Sequence, residues 1–139
     1  MPYDDLMVAP MREELTRLGV EELRDAADVS RWMDDHTGSA LLFFNSVCGC
    51  AAGMARPGLA LALQNAHRPN RVATVFAGQD MEATAAARQA IAEVPPSSPS
   101  AALFKDGQLV FFLPRHAIEG RDARDVGADL AAAFDRFCA

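Results

Sequence analysis

The chain has 139 residues, half of them hydrophobic and 23 % charged, which suits one globular domain spanning residues 1–139 with its own core. Its formal net charge is −6 and its basic residues do not cluster, which argues against a nucleic-acid or anionic-membrane surface. No apolar segment approaches the ~18 residues of a membrane helix, the start Met1-Pro2-Tyr3-Asp4-Asp5 is acidic where a signal peptide is basic, and three cysteines are too few for a secreted disulfide scaffold, so a cytoplasmic protein is expected.

Pro10 is expected to open a first helix, since its missing N–H is unneeded there. Met11, Leu15 and Leu18 recur at helical spacing and Gly19 stops the run. Residues 20–23 suit a short edge strand. Asp25 can cap a second helix over 26–35, with Val29, Trp32 and Met33 inward. Residues 40–45 are apolar on both faces, as a central strand is when helices cover both sides. Met54, Leu59, Leu61 and Leu63 mark the next helix, which Pro57 should kink. Residues 71–77 form a second buried strand, and Asp80 can cap a helix over about 81–93. After Pro95-Pro96-Ser97-Ser98-Pro99-Ser100 come two strands, 101–105 and 108–113, joined by a tight turn at Asp106-Gly107. Asp122 starts the last helix, with Val126, Leu130, Ala133, Phe134 and Phe137 inward. Alternating strands and helices that end in a hairpin imply an α/β sandwich with a mixed sheet.

Between the strand at 40–45 and the helix that follows lies Ser46-Val47-Cys48-Gly49-Cys50-Ala51-Ala52-Gly53. A helix N-terminus presents unpaired N–H groups and a positive dipole end, and a thiol there is stabilised as thiolate. Cys48 meets that field first and is the expected nucleophile. Cys50 is placed to attack back on a mixed disulfide. Residues i and i+2 of a helix point about 200° apart at 3.6 residues per turn. On that reasoning, closing Cys48–Cys50 distorts the first turn through Gly49 and makes the disulfide oxidising. The competing chemistry is soft-metal binding, in which the two thiolates hold copper(I) or zinc. Two ligands are too few for a closed zinc site, and His36, His67 and His116 show no ligand spacing to the pair, so no metal is expected.

The element order, the thiol pair after an inner strand and the proline before the hairpin resemble the thioredoxin fold. Residues 98–108 are similar to the thioredoxin stretch around its cis-proline, which implies a cis Ser98–Pro99 bond and a substrate groove formed by Gly49, Ser98 and Pro99. The closer resemblance is to the bacilliredoxins, small thioredoxin-like proteins with a CxC motif. It is carried by Asn45-Ser46-Val47-Cys48-Gly49-Cys50-Ala51, Ala55-Arg56-Pro57, Val75-Phe76-Ala77-Gly78-Gln79-Asp80, residues 95–100, Arg115-His116 and Ile118-Glu119-Gly120-Arg121. The family implies removal of the small thiol bacillithiol from protein mixed disulfides, with disulfide isomerase activity also associated with it. The resemblance implies no cofactor beyond that thiol. The implied partners are S-thiolated client proteins and a thiol reductant or reductase.

Thioredoxins carry a buried Asp six residues before the first cysteine, where Leu42 stands here. The accessory residues keep open readings. Arg56 balances thiolate charge, grips a substrate carboxylate, or is a solvated helix residue. His116 is a proton donor near pH 7 or a surface residue. Glu119 and Arg121 suit a solvated turn pair, and Cys138 a small residue on the last helix.

Overall fold

A computed structural model describes residues 2–139. Among these residues five strands form one mixed sheet in the order β1-β3-β2-β4-β5. They are β1 (Glu21–Glu22), β2 (Ser39–Asn45), β3 (Arg71–Phe76), β4 (Ser100–Lys105) and β5 (Gln108–Leu113). The first three are parallel, and β4 and β5 run antiparallel to their neighbours. The α-helices of the described residues are α1 (Asp5–Thr16), α2 (Ala26–Asp34), α3 (Arg56–Ala62), α4 (Met81–Ala90) and α5 (Ala123–Phe137). The expected α/β order is therefore observed.

The central strand β2 is buried at every residue. Its alternate side chains face opposite ways, as the two-residue strand period requires. Leu41 and Phe43 join Leu15, Leu59, Leu130 and Phe134 in the core beneath α1, α3 and α5. Leu42 and Phe44 join Val29, Trp32, Ala83 and Ala87 beneath α2 and α4. Full burial of a large apolar side chain contributes about 1.5–3 kcal/mol, so the run that opens onto the cysteines is among the most firmly seated parts of the chain. The hairpin turn has Asp106 at φ 49° and Gly107 at φ 83°, the left-handed pair that matches the twist of a two-residue hairpin. Asp25 and Asp122 cap α2 and α5 through the N–H groups of Asp28 and Asp125.

Three local expectations are corrected. The first helix begins at Asp5, because Asp4 caps it by accepting from the Leu6 N–H at 2.9 Å. Pro10 lies inside that helix, and both it and Leu6 are exposed, where water can take the bond the proline cannot make. Asp80 precedes α4 but does not cap it with its side chain. Its carboxylate instead receives both terminal nitrogens of Arg12, at 2.7 and 3.0 Å. Pro57 stands at the start of α3, and the irregularity lies just before it. Ala51–Ala55 form a π-helical turn in which the Arg56 N–H reaches back five residues to the Ala51 carbonyl.

Candidate active site

The site lies where β2 ends. The helical stretch after it starts at Gly49, so Cys48 is the residue before the first turn, and its carbonyl accepts from the N–H groups of Ala51 (3.1 Å) and Ala52 (3.2 Å). This corrects the geometric premise drawn from spacing. Cys48 is not on the helix, so the i,i+2 divergence of helical side chains does not set the direction of the two thiols. Gly49 is outside the left-handed region, and a Cβ there would meet nothing within 4 Å. Both cysteines are free and partly exposed.

The sulfurs sit in different surroundings. Ser46 Oγ donates to Cys48 Sγ at 3.1 Å and accepts from the Cys48 N–H at 3.4 Å. Partial burial opposes ionisation of Cys48. Hydrogen bonds from the Ser46 hydroxyl, the Ala51 N–H and the thiol and N–H of Cys50 outweigh it and hold the thiol below the usual cysteine range. Cys50 is pushed the other way, by burial and then by the adjacent Cys48, with Arg115 opposing and Glu119 reinforcing the shift. Arg115 Nη2 lies 3.6 Å from Cys50 Sγ, and Glu119 Oε2 lies 3.8 Å from the same sulfur. Cys138, at the end of α5, is pushed up chiefly by burial.

Two further segments close the site. The Ser98–Pro99 bond is cis. Arg115 ties this loop to the cysteines: its backbone N–H donates to Ser97 Oγ at 3.3 Å and its Nη1 to the Ser98 carbonyl at 3.2 Å. Below the loop, Arg56 is 2 % exposed. Its Nη1 donates to Asn45 Oδ1 at 2.9 Å and to the Ser46 carbonyl at 2.8 Å, and its Nε to Glu14 at 3.0 Å.

Arg56 is thus neither solvated nor open to a substrate, because it is buried and its Nε and Nη1 donate within the protein. His116 is exposed on the short turn Arg115–Ala117 and makes no hydrogen bond to either cysteine among the described residues. Glu119 and Arg121 are not a pair: Glu119 bonds Arg115 Nε at 3.3 Å, while Arg121 bonds Asp129. Sequence reasoning gave Arg115 no role of its own, although its four-residue spacing to Glu119 is a readable charge-pair signal. Leu42 is fully buried in apolar surroundings, so β2 supplies no carboxylate beneath the thiols. Among the described residues no group of three or more His, Cys, Asp or Glu side chains is arranged to hold a metal ion.

Residues 3–138 match a protein-family model described as disulphide isomerase. A bacilliredoxin from Salinibacter ruber is 53 % identical over 99 % of this chain and 82 % of its own length. Another from Shouchella clausii is 48 % identical over 99 % and 97 %. The chain is a bacilliredoxin-family protein. Solved structures place the family member's fold: a Fasciola hepatica thioredoxin overlays with a TM-score of 0.57 at 19 % identity, over 85 % of this chain and 99 % of that one. The oxidised mitochondrial thioredoxin 3 of Saccharomyces cerevisiae gives 0.58 at 18 % identity, over 88 % and 98 %. The fold is thioredoxin-like, and the bacilliredoxin relatives with the CxC pair support a thiol–disulfide oxidoreductase role. No helix among the described residues is long and apolar enough to cross a membrane.

Proposed function

We propose that the protein removes bacillithiol, or a similar small thiol, from mixed disulfides on client proteins, with Cys48 as nucleophile and Cys50 as resolving thiol. The observation that supports this most directly is the unequal pair: Cys48 is favoured as thiolate and Cys50 as thiol. Attack needs an anion, and resolution needs a second thiol held in reserve.

The Cys48 thiolate attacks the bacillithiol sulfur. The S–S bond to the client breaks, the client sulfur leaves with the electron pair and takes up a proton, and a Cys48–bacillithiol disulfide remains. A second thiol, either Cys50 or one from a reductant, then attacks Cys48 Sγ and releases bacillithiol. Gly49, Ser98 and Pro99 line the groove in which the mixed disulfide lies. No cofactor takes part beyond the transferred thiol, neither nucleic acid nor membrane is a partner, and the reaction belongs in the reducing cytoplasm. Disulfide isomerisation would start differently: the Cys48 thiolate attacks a client disulfide, one client sulfur leaves as thiolate, and another client thiolate then attacks the client sulfur of the Cys48–client bond and expels Cys48 as thiolate.

The test is mass spectrometry after exposure to a bacillithiolated client. Cys50→Ala should retain the adduct on Cys48, and Cys48→Ala should transfer nothing. An unmodified Cys50→Ala protein beside an unchanged client would overturn the reading. The metal-binding alternative predicts copper or zinc in stoichiometric amount in protein purified under reducing conditions, and metal analysis decides it.

A further inference from the structure

The contacts around Cys50 are not used by the attack on the client. Three charged or titratable groups face its sulfur: Cys48 two residues earlier, Arg115 at 3.6 Å, and Glu119 at 3.8 Å. Arg115 is pinned on two other sides, to Glu119 and to the Ser98 carbonyl, so its guanidinium is held at the sulfur and does not sweep through solvent. The side chain remains 42 % exposed, which leaves it reachable by a substrate lying across the cysteines.

We propose that Arg115 is the catalytic charge for Cys50, and that the resolving thiol is switched on by capping of Cys48. The proposal rests on the adduct-transfer reading above. While Cys48 is a free thiolate, a second anion beside it is disfavoured by like-charge repulsion, and Cys50 keeps its proton. Once Cys48 carries the small thiol as a disulfide, that negative charge is gone. Arg115 then remains as the cation in contact with Cys50, opposed by the burial that favours the neutral thiol and by Glu119. Cys50 gives its proton to solvent, and its thiolate attacks Cys48 Sγ. The Cys48–bacillithiol S–S bond breaks, bacillithiol leaves with the electron pair and is protonated by water, and the Cys48–Cys50 disulfide forms. The order of the two steps is thereby built into the charges: the second nucleophile is formed by completion of the first attack. The arrangement also removes any need for a carboxylate at Leu42, because the resolving thiol is ionised by a cation from the turn after β5.

The test isolates ionisation from transfer. The pH dependence of alkylation of Cys50 by iodoacetamide, read residue by residue by mass spectrometry, is compared in wild type, Cys48→Ser, Cys48→Ser/Arg115→Met and Cys48→Ser/Arg115→Lys. Cys48→Ser mimics the capped state by removing the neighbouring charge without removing the loop's polar contact. Cys50 should then alkylate at pH 7 about tenfold faster than in wild type, through a correspondingly larger thiolate fraction. Arg115→Met in that background should abolish the gain, and Arg115→Lys, which keeps the charge, should restore most of it. A Cys50 profile that is the same in wild type and Cys48→Ser would overturn the switch. A profile insensitive to Arg115→Met would overturn the role of Arg115. Neither measurement uses a bacillithiolated client, so a protein that fails to accept bacillithiol sinks the adduct-transfer reading and leaves the alkylation result to be judged separately.

Discussion

Arg56 donates to the Ser46 carbonyl at 2.8 Å from a side chain that is 1 % exposed, placing a buried cation directly under the loop that carries Cys48. The same guanidinium bonds Asn45 and Glu14, so it fastens the end of β2 to the first helix. Ser46 in turn donates to the Cys48 sulfur. Arg56 is thus linked to the sulfur through Ser46, and a role in positioning Cys48 is what its variants test.

Arg56→Met should lower stability by about 2–3 kcal/mol, since orphaned buried polar groups cost about 1–3 kcal/mol each and Glu14 regains some hydration. The denaturant midpoint measures this. Alkylation of Cys48 at pH 7 should slow in the same variant. Arg56→Lys should recover part of the stability, because it keeps charge but loses the planar fork. An alkylation rate equal to wild type would show that the loop does not depend on Arg56.

The three thiols should separate by pH. A thiolate reacts and a thiol does not, and the anionic fraction at a given pH rises as the pKa falls. Cys48 is shifted down, while Cys50 and Cys138 are shifted up. At mildly acidic pH Cys48 should alkylate first, and the other two should join only as the solution becomes alkaline. Equal rates across the range would remove the electrostatic basis of the nucleophile assignment.

Ser46→Ala removes the hydroxyl that donates to Cys48 Sγ at 3.1 Å. Losing a donor to an anion raises its pKa. The Cys48 alkylation profile should move to higher pH, with a rate at pH 6 about tenfold lower, equivalent to about 1.4 kcal/mol of lost interaction with the anion. Ser46 makes no hydrogen bond to Cys50 among the described residues, so any change in the Cys50 profile should follow from the altered charge on Cys48.

Two glycines should respond oppositely to alanine. At Gly58 a Cβ would sit 2.7 Å from Val126 Cγ1 and 3.2 Å from the Ala123 carbonyl, where α3 and α5 press together. Overpacking of that kind costs about 1–3 kcal/mol, and thermal denaturation of Gly58→Ala should show it. Gly49→Ala meets no such contact and should leave the dithiol form as stable as wild type. A Gly49→Ala protein that loses as much stability as Gly58→Ala would contradict the open surroundings of that position.

The strands were legible because burial on both faces leaves an unbroken apolar run, as in residues 40–45, and because Asp106-Gly107 supplies the left-handed turn a hairpin needs. The cis bond at Ser98–Pro99 was legible only through the likeness to thioredoxin, since composition alone does not distinguish the two isomers. What escaped was long-range polar pairing. Asp80 looks like a cap until Arg12 takes its carboxylate. Arg56 and Arg115 look alike in one dimension, yet one is sealed beneath the loop and the other lies against Cys50 across 65 residues of chain. Helical spacing also misjudged the thiols, because it assumes both cysteines have entered the helix.

The first helix is usually a bystander in arguments about thiols, but here it holds two of the site's ties. Its Met11 carbonyl accepts from Asn45 at 3.3 Å, and its Glu14 anchors Arg56. Its start is moored to the turn after β3 by Gln79, which exchanges hydrogen bonds with the Tyr3 backbone at 2.7 and 3.0 Å. Clipping the chain ahead of the helix, or prying Gln79 loose, would therefore be felt at Cys48 before the sheet gave way. The reactivity of one sulfur would report on the seating of a helix start that, among the described residues, makes no hydrogen bond to it.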